Sequence, residues 1–243
     1  ATESAAAFKY MAMAGWETAD MLDGIDGVMN LAAASGEDLA SVSDIVTDAL
    51  TAFGLQAKDS AHFADVLAQA SSRSNTNVGL MGYTFKYVAP IAGALGYNIE
   101  DMAVAIGLMA NAGIKGEQAG TQLRSVLSRM SKPTSETQAA MDKLGLSLTD
   151  SEGNMKSFAE VMQDMRTGFS QLTDAEKTTY AAMLGGQEAM SGLLAIVGAS
   201  DEDFDKLTAA IAASDGTAQK MADTMNDNVQ GAFTIMKSAA EGF

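Results

Sequence analysis

The sequence predicts an all-α fold built of consecutive helical hairpins. Apolar residues recur at intervals of three or four along nearly the whole chain, which is the spacing of helices with one buried face. The 243 residues include only 2 prolines, so long helices are permitted and a turn-rich β domain is disfavoured. Aromatic residues are only 6% of the chain, whereas 17 residues are Met and 23 are Gly, so we expect a core of small and flexible side chains.

Helical periodicity is clearest in three segments. Residues 39–53 place apolar side chains at steps of three and four, and residues 63–70 and 123–130 repeat this pattern. Each segment is therefore predicted to be an amphipathic helix whose apolar stripe faces a core.

Helix start signals support the same assignment. Asn98 precedes an apolar run and is expected to cap a helix. Thr173 and Glu176 have the spacing of a capping box, in which each side chain satisfies a free backbone N–H of the other residue. Ser135 and Gln138 repeat that spacing and predict a further helix start.

A weak internal repeat of roughly 40 residues accompanies these helices. Four glycines are each followed by an aromatic residue or Leu and, five residues on, by Asp; they are spaced 39, 42 and 49 residues apart. They are Gly15, Gly54, Gly96 and Gly145. A period of this size corresponds to two helices and two turns, so it predicts stacked hairpins, with chance recurrence of common residues as the alternative.

The chain divides into three predicted regions. Residues 5–130 form the helical-hairpin repeat region, residues 134–212 form a second helical region, and residues 217–243 begin a truncated long helix or coiled coil. Within the second region, residues 146–156 alternate between apolar and polar and then turn, which predicts one short irregular or β-hairpin insert. We interpret the chain as a piece of a longer protein.

The charge balance excludes several classes of function. The chain has 15 Lys and Arg against 31 Asp and Glu, a formal net charge of −16. Because phosphate backbones are bound by the opposite sign of charge, no nucleic-acid binding is expected. The absence of Cys excludes disulfides and thiolate metal sites, and a single His excludes a histidine-rich metal site.

No catalytic, cofactor-binding or metal-binding residue is predicted. The sequence lacks a nucleophile elbow, a phosphate-binding loop, a dinucleotide-binding glycine motif and a zinc-protease motif. His62 has no evident base partner and is expected to be structural or solvent-exposed. Residues 201–205 and 150–154 are acidic but lack the glycine that a calcium loop needs at its sixth position. We interpret them as a helix start capped by Ser200 and as a turn.

Two apolar runs are short or interrupted for a membrane span, which takes about 20 apolar residues. Residues 102–114 are bounded by charges, and residues 181–199 contain polar and glycine positions, so both are interpreted as buried helices, with a membrane role for the second as the alternative. Gly116 and Gly120 form a small-residue pattern that would let helices approach closely within or between chains; a loose helix start is the other interpretation.

Several strings in the sequence resemble the conserved block of tail tape measure proteins from long-tailed phages and prophages. They are residues 8–16, 27–36, 43–50, 84–90, 93–97, 105–115, 119–124 and 184–194. The most specific is Thr-Phe-Lys-Tyr-Val-Ala-Pro at 84–90, followed by Gly-Ala-Leu-Gly-Tyr at 93–97. The resemblance extends over about residues 8–207 and brings no catalytic residues with it.

This resemblance implies a structural component of a phage or prophage tail that fills the tail tube, sets its length and is ejected on infection. The implied partners are tail tube and tail-tip proteins, tail assembly chaperones and the host envelope in transient contact, and a homo-oligomer is possible. The implied location is the lumen of the virion tail, with the bacterial host cytoplasm during assembly. No enzyme activity or cofactor is expected. The alternative is a helical-hairpin adaptor that binds other proteins without enzymatic activity.

Overall fold

A computed structural model describes residues 2–228, 236–237 and 239–240. Within these residues the predicted all-α class is confirmed: thirteen α-helices follow one another, and a 3₁₀ turn at Ala57–Asp59 separates α3 from α4. The helices are α1 (Thr2–Met13), α2 (Thr18–Ser35), α3 (Leu39–Phe53), α4 (Ser60–Arg73), α5 (Val78–Ala94), α6 (Ile99–Asn111), α7 (Gly116–Ser131), α8 (Ser135–Leu144), α9 (Phe158–Ser170), α10 (Asp174–Gly185), α11 (Met190–Val197), α12 (Asp201–Ala212) and α13 (Thr217–Asn226).

Helices two positions apart in the chain form the most extensive contacts. α1, α3, α5 and α7 pack side by side in one layer, while α2, α4 and α6 form a second layer that α13 extends beside α2. α10 and α11 pack on α7, and α12 packs on α6 and α4. The predicted repeat of consecutive hairpins is not confirmed, because from α1 to α7 consecutive helices contact each other less than alternate helices do.

The four glycines of the predicted repeat nevertheless share one turn geometry. Gly96, after α5, has a φ of 74°, and Tyr97 donates its N–H over 3.0 Å to the carbonyl five residues before it. Gly15, Gly54 and Gly145 also have positive φ, and the residue after each makes the same hydrogen bond. The last backbone carbonyls of a helix have no hydrogen-bond donor within the helix, and this turn supplies one. The sequence pattern therefore marks where helices stop.

Residues 146–156 contain an irregular turn. Thr149 and Met155 form one isolated antiparallel bridge, and Asp150 donates its N–H to the Asn154 carbonyl over 2.9 Å. No strand is assigned in the part of the chain that the structure describes, so the predicted β-hairpin insert is not confirmed.

The predicted caps at Asn98 and at Thr173 with Glu176 are confirmed. The cap predicted at Ser135 is wrong by one residue. Thr134 is extended, with a ψ of 168°, and its hydroxyl accepts a backbone N–H from the first turn of α8, whereas Ser135 is already helical.

Glycines permit the closest helix–helix approaches in the first layer. A Cβ on Gly120 of α7 would lie 2.7 Å from the Thr84 carbonyl oxygen of α5, and one on Gly93 of α5 would lie 2.1 Å from the Ala52 carbonyl oxygen of α3. Thr84 also donates its hydroxyl to the Gly116 carbonyl over 2.9 Å. The small-residue pattern at Gly116 and Gly120 thus serves close packing within one chain.

One buried cluster includes residues of both predicted helical regions. Phe63 of α4 and Phe85 of α5 meet edge to face with ring centroids 5.5 Å apart. Phe158 and Phe169 of α9 belong to the same cluster. The division of the chain near residues 130–134 stays a prediction.

The last of the thirteen helices, α13, packs on α2 and α4 and ends at Asn226. Ala218 and Ala222 form its buried face. Of the long helix or coiled coil predicted over residues 217–243, residues 229–235, 238 and 241–243 lie outside the described residues, so it stays a prediction.

Candidate functional site

The one histidine of the chain has carboxylate partners that its sequence neighbours do not reveal. His62, near the start of α4, places Nε2 2.6 Å from Glu100 Oε1 and Nδ1 3.8 Å from Asp215 Oδ1. Its side chain is 45% exposed, as expected, but the expectation that it lacks a base partner is wrong, because Glu100 approaches from α6. The contact ties α4 to α6 and to the loop before α13.

The acidic runs lie at a helix start and a turn. Ser200 caps α12 by accepting a backbone N–H of its first turn, as predicted, and Asp201 contacts Arg166. The pKa of Asp150 is lowered, mainly because its carboxylate accepts the backbone N–H of Asn154. Among the described residues, no group of three or more His, Cys, Asp and Glu is placed to hold a metal ion.

Arg166 of α9 is a buried charge, with 7% of its surface exposed. Its guanidinium donates to the carbonyls of Ile196 and Ala199 at 3.2 and 2.8 Å and to Asp201 Oδ1 at 2.6 Å. It also lies 4.6 Å from the ring centroid of Phe204. Arg166 therefore joins the end of α11 to the start of α12.

A ridge along α5 is the most distinctive exposed feature. Tyr83, Lys86, Tyr87 and Pro90 recur at steps of three and four, so they share the face of α5 that is turned away from the core. Tyr83 is 60% exposed, which is high for an aromatic side chain. These four residues are called the α5 ridge below.

On its α3 side the α5 ridge borders an acidic groove lined by Glu37, Asp44 and Asp48, which we call the acidic flank. Lys86 Nζ lies 3.6 Å from Asp44 Oδ2 and 3.4 Å from Asp48 Oδ2. The pKa of Lys86 is raised, chiefly by the charge of Asp44. Lys86 is therefore positively charged and held towards this flank.

On its α7 side the ridge borders a groove lined by Arg124, Arg129 and Glu188. Within the described part of the chain, neither guanidinium lies within ion-pair distance of a carboxylate. We call the two arginines the basic flank. Glu117, at the start of α7, raises the pKa of the Tyr87 phenol through a hydrogen bond.

The two long apolar runs lie within the helical packing. Residues 102–110 of α6 are all buried, and residues 181–199 are divided between α10 and α11 at Gly186, which has a φ of 86°. None of the described helices is both long enough and apolar enough to cross a membrane.

The sequence profile of the phage-related minor tail protein family matches residues 1–186, more than three quarters of the chain. The chain belongs to this family. It is 42% identical over 241 residues to the tape measure protein of Pneumococcus phage Dp-1. This alignment covers 99% of this chain and 21% of that protein. It is 31% identical over 244 aligned residues to the probable tape measure protein of Escherichia phage P2, covering 99% of this chain and 30% of that protein.

The chain, a member of the minor tail protein family, thus spans less than a third of the length of either relative. No solved structure matches it. The resemblance to tape measure proteins is confirmed, and its most specific string, residues 84–90, forms the middle of α5. That string contains three of the four ridge residues. The sequence did not indicate the ridge as a surface, because its two flanks come from α3 with the turn before it and from α7, about 40 residues away on each side.

Proposed function

We propose that this chain is a folded helical module of a tape measure protein in a phage or prophage tail. The observation that carries the proposal is the alignment of 99% of the chain with two tape measure proteins. By this proposal the parent protein fills the tail tube, sets tail length and is ejected on infection. The role of the module is structural, without enzyme activity or a cofactor.

The packing of the helices favours a folded module over an extended ruler segment. The longest of the described helices, α2, has 18 residues and is about 27 Å long. A continuous helix of residues 2–228 would instead be about 340 Å long. Because the helices fold back on one another around a buried cluster, this segment adds little ruler length in its folded state.

The same proposal includes a repeat in the fold, a set of partners and a location. The turn shared by Gly15, Gly54 and Gly96 supports a degenerate repeat of roughly 40 residues within residues 5–130. The partners are tail tube and tail-tip proteins, tail assembly chaperones, another copy of the chain and, transiently, the host envelope. The module is placed in the lumen of the virion tail after assembly in the host cytoplasm. Its net charge of −16 disfavours binding to DNA in the same lumen.

The test is an in-frame deletion of residues 2–228 from the parent protein in its own phage, with tail length measured by electron microscopy. A folded module predicts tails of nearly unchanged length and reduced infection. An extended ruler segment predicts tails shorter by about 340 Å, and this result would reject the folded-module role. Deleting only α4 and α5 would be less informative, because it opens the middle of the core.

A matched deletion of equal length elsewhere in the parent protein provides the control and should shorten the tail. Mass spectrometry of purified tails tests the location independently. If peptides of residues 2–228 are absent from assembled tails, the proposed tail role is wrong.

A further inference from the structure

The α5 ridge combines an exposed apolar surface with flanks of opposite charge. Tyr83, Tyr87 and Pro90 supply the apolar part, the acidic flank lies on the α3 side and the basic flank on the α7 side. We propose that a second copy of this chain docks on the α5 ridge, with a two-fold axis running along α5. Another copy of the chain is among the partners of the proposed function, and this inference rests on that part of it and names the docking surface. Association of the chain in solution and tail length in the phage test the two proposals separately.

The direction of the axis follows from the charges. A two-fold interface brings the same patch of both copies together. Rotation about an axis along α5 exchanges the two sides of the ridge, so the acidic flank of one copy faces the basic flank of the other. An axis across α5 would place like charges opposite each other, which is unfavourable.

The opposing charges also lie at similar heights along the ridge. Gly82 of α5 adjoins Ile45 of α3, and Gly93 adjoins Ala52, so α3 and α5 run in the same direction. Asp48, between the two α3 contacts, is therefore level with the middle of α5.

α7 also runs in the direction of α5. Gly116 adjoins Leu80, and Gly120 adjoins Thr84 and Tyr87. Arg124 follows Gly120 by one helical turn and so lies level with the part of α5 just beyond Tyr87. Asp48 and the partner's Arg124 would thus be within about one turn, or about 5 Å, along the axis. Their side chains are long enough to meet across this offset.

The size of the face predicts a weak dimer. α5 has 17 residues and is about 25 Å long. With neighbouring helices about 9 Å apart, the three-helix face measures about 600 Å² per copy. The resulting total of about 1,200 Å² is at the lower limit for specific interfaces. We therefore expect a dissociation constant on the order of 10–100 µM.

The net charge of −16 per copy sets the conditions of the experiment. Long-range repulsion between two acidic chains opposes association. At about 0.15 M salt the screening length is about 8 Å, so this repulsion is reduced while charge pairs in contact retain part of their attraction. Association should therefore be measured near this salt concentration.

Sedimentation velocity of the 243-residue chain, over about 5–500 µM, should show a monomer–dimer equilibrium. Arg124→Glu should raise the dissociation constant at least tenfold, because it places a carboxylate opposite Asp48. Lys58→Glu is the matched control: Lys58 is exposed in the 3₁₀ turn, away from the ridge, and the variant makes the same type of charge reversal. It should leave the dissociation constant unchanged.

Cysteine cross-linking tests the direction of the axis, since the natural chain contains no Cys. With α5 parallel to its partner helix, Tyr83 lies near Tyr83 of the other copy, so Tyr83→Cys should form a disulfide-linked dimer on oxidation. Asp48→Cys mixed with Arg124→Cys, treated with a short bis-maleimide cross-linker because the gap is too long for a disulfide, should give the heterodimer in preference to either homodimer. Lys58→Cys should remain monomeric.

Three results would each overturn the proposal. The first is a monomer at all concentrations, and the second is a dimer that Arg124→Glu does not weaken. The third is cross-linking of Tyr83→Cys no faster than that of Lys58→Cys. Arg124 and Tyr83 are exposed, so these substitutions test the surface without opening the core.

Discussion

Asp65 of α4 caps α13 across 151 residues of sequence. Its carboxylate accepts the backbone N–H of Gly216 and that of Ala218, each over 2.8 Å. Gly216 has a φ of 73° and no side chain to cap the helix that it precedes. The free N–H groups at the start of α13 are thus satisfied by another helix, which fixes α13 on the second layer.

Replacing Asp65 with Ala should release the start of α13. We expect a loss of about 1–2 kcal/mol in the free energy of unfolding, because a helix loses its only side-chain cap. Urea unfolding measures the loss, and hydrogen exchange should show faster exchange for residues 217–226. Asp65→Asn retains one acceptor and should fall between Ala and the natural residue. Unchanged exchange in α13 with Ala would contradict this role.

Replacing Arg166 with Ala should destabilise the junction between α11 and α12. The carbonyls of Ile196 in α11 and of Ala199 just after it lose a buried donor, so we expect a loss of about 2–3 kcal/mol in the free energy of unfolding. Asp201→Asn is the matched control, since the Asp201 side chain is 97% exposed and exposed ion pairs contribute less than about 1 kcal/mol. Equal losses in the two variants, measured by urea unfolding, would show that the ion pair rather than the carbonyl contacts stabilises the junction.

Local signals in the sequence predicted local structure well. Helical periodicity predicted the all-α class because a helix repeats its buried face every three or four residues. The cap at Asn98 and the capping box at Thr173 and Glu176 were predictable because donor and acceptor lie three residues apart. The shift from Ser135 to Thr134 shows the limit of this signal, since both residues have a hydroxyl that can cap a helix.

Contacts between distant residues could not be predicted in the same way. Nothing near Asp65 or Glu100 in sequence indicates that they contact Gly216 and His62, respectively. The packing of alternate helices depends on the whole fold, so the repeat signal indicated helix ends without giving helix partners. Arg166 did offer a usable signal, because it is a charged residue within the apolar stripe of α9.

Replacing Gly93 with Ala should reverse the usual effect of this substitution in a helix. Ala in place of a helical Gly normally stabilises by about 1 kcal/mol. At this position the added Cβ would lie 2.1 Å from the backbone oxygen of Ala52, so α3 and α5 must separate. We expect a net loss of about 1–3 kcal/mol in the free energy of unfolding, measured by urea unfolding.

Gly79 in the same helix provides the control for Gly93. The three atoms nearest to a Cβ there all belong to the Glu37 side chain, whose carboxylate end can move away. Gly79→Ala should therefore leave stability unchanged or slightly raised. If both alanine variants have the stability of the natural protein, the close approach of α3 and α5 does not limit packing.

The carboxyl groups of Glu176 and Asp101 should make the free energy of unfolding depend on pH in opposite directions. Hydrogen bonds from Thr173, first from its backbone N–H, lower the pKa of Glu176 below 4.5 in the folded protein. The stabilisation is present above pH 4.5 and is lost as the pH falls through the lowered pKa. Burial raises the pKa of Asp101 above 3.8, although its carboxylate also accepts the Ala159 N–H over 2.9 Å. Its protonated form is favoured by folding, so its contribution is lost as the pH rises through the raised pKa.

Neutral amides at these two positions should therefore shift stability in opposite directions at pH 7. Glu176→Gln removes a charge that the folded state favours and should lower the free energy of unfolding, whereas Asp101→Asn removes a charge that burial disfavours and should raise it. At a pH below both pKa values the natural carboxyls are protonated, so each variant should approach the natural protein. Urea unfolding at the two pH values measures both differences. A shift of the same sign for both variants at pH 7 would contradict the assigned causes, since one carboxylate is stabilised by its cap and the other is destabilised by burial.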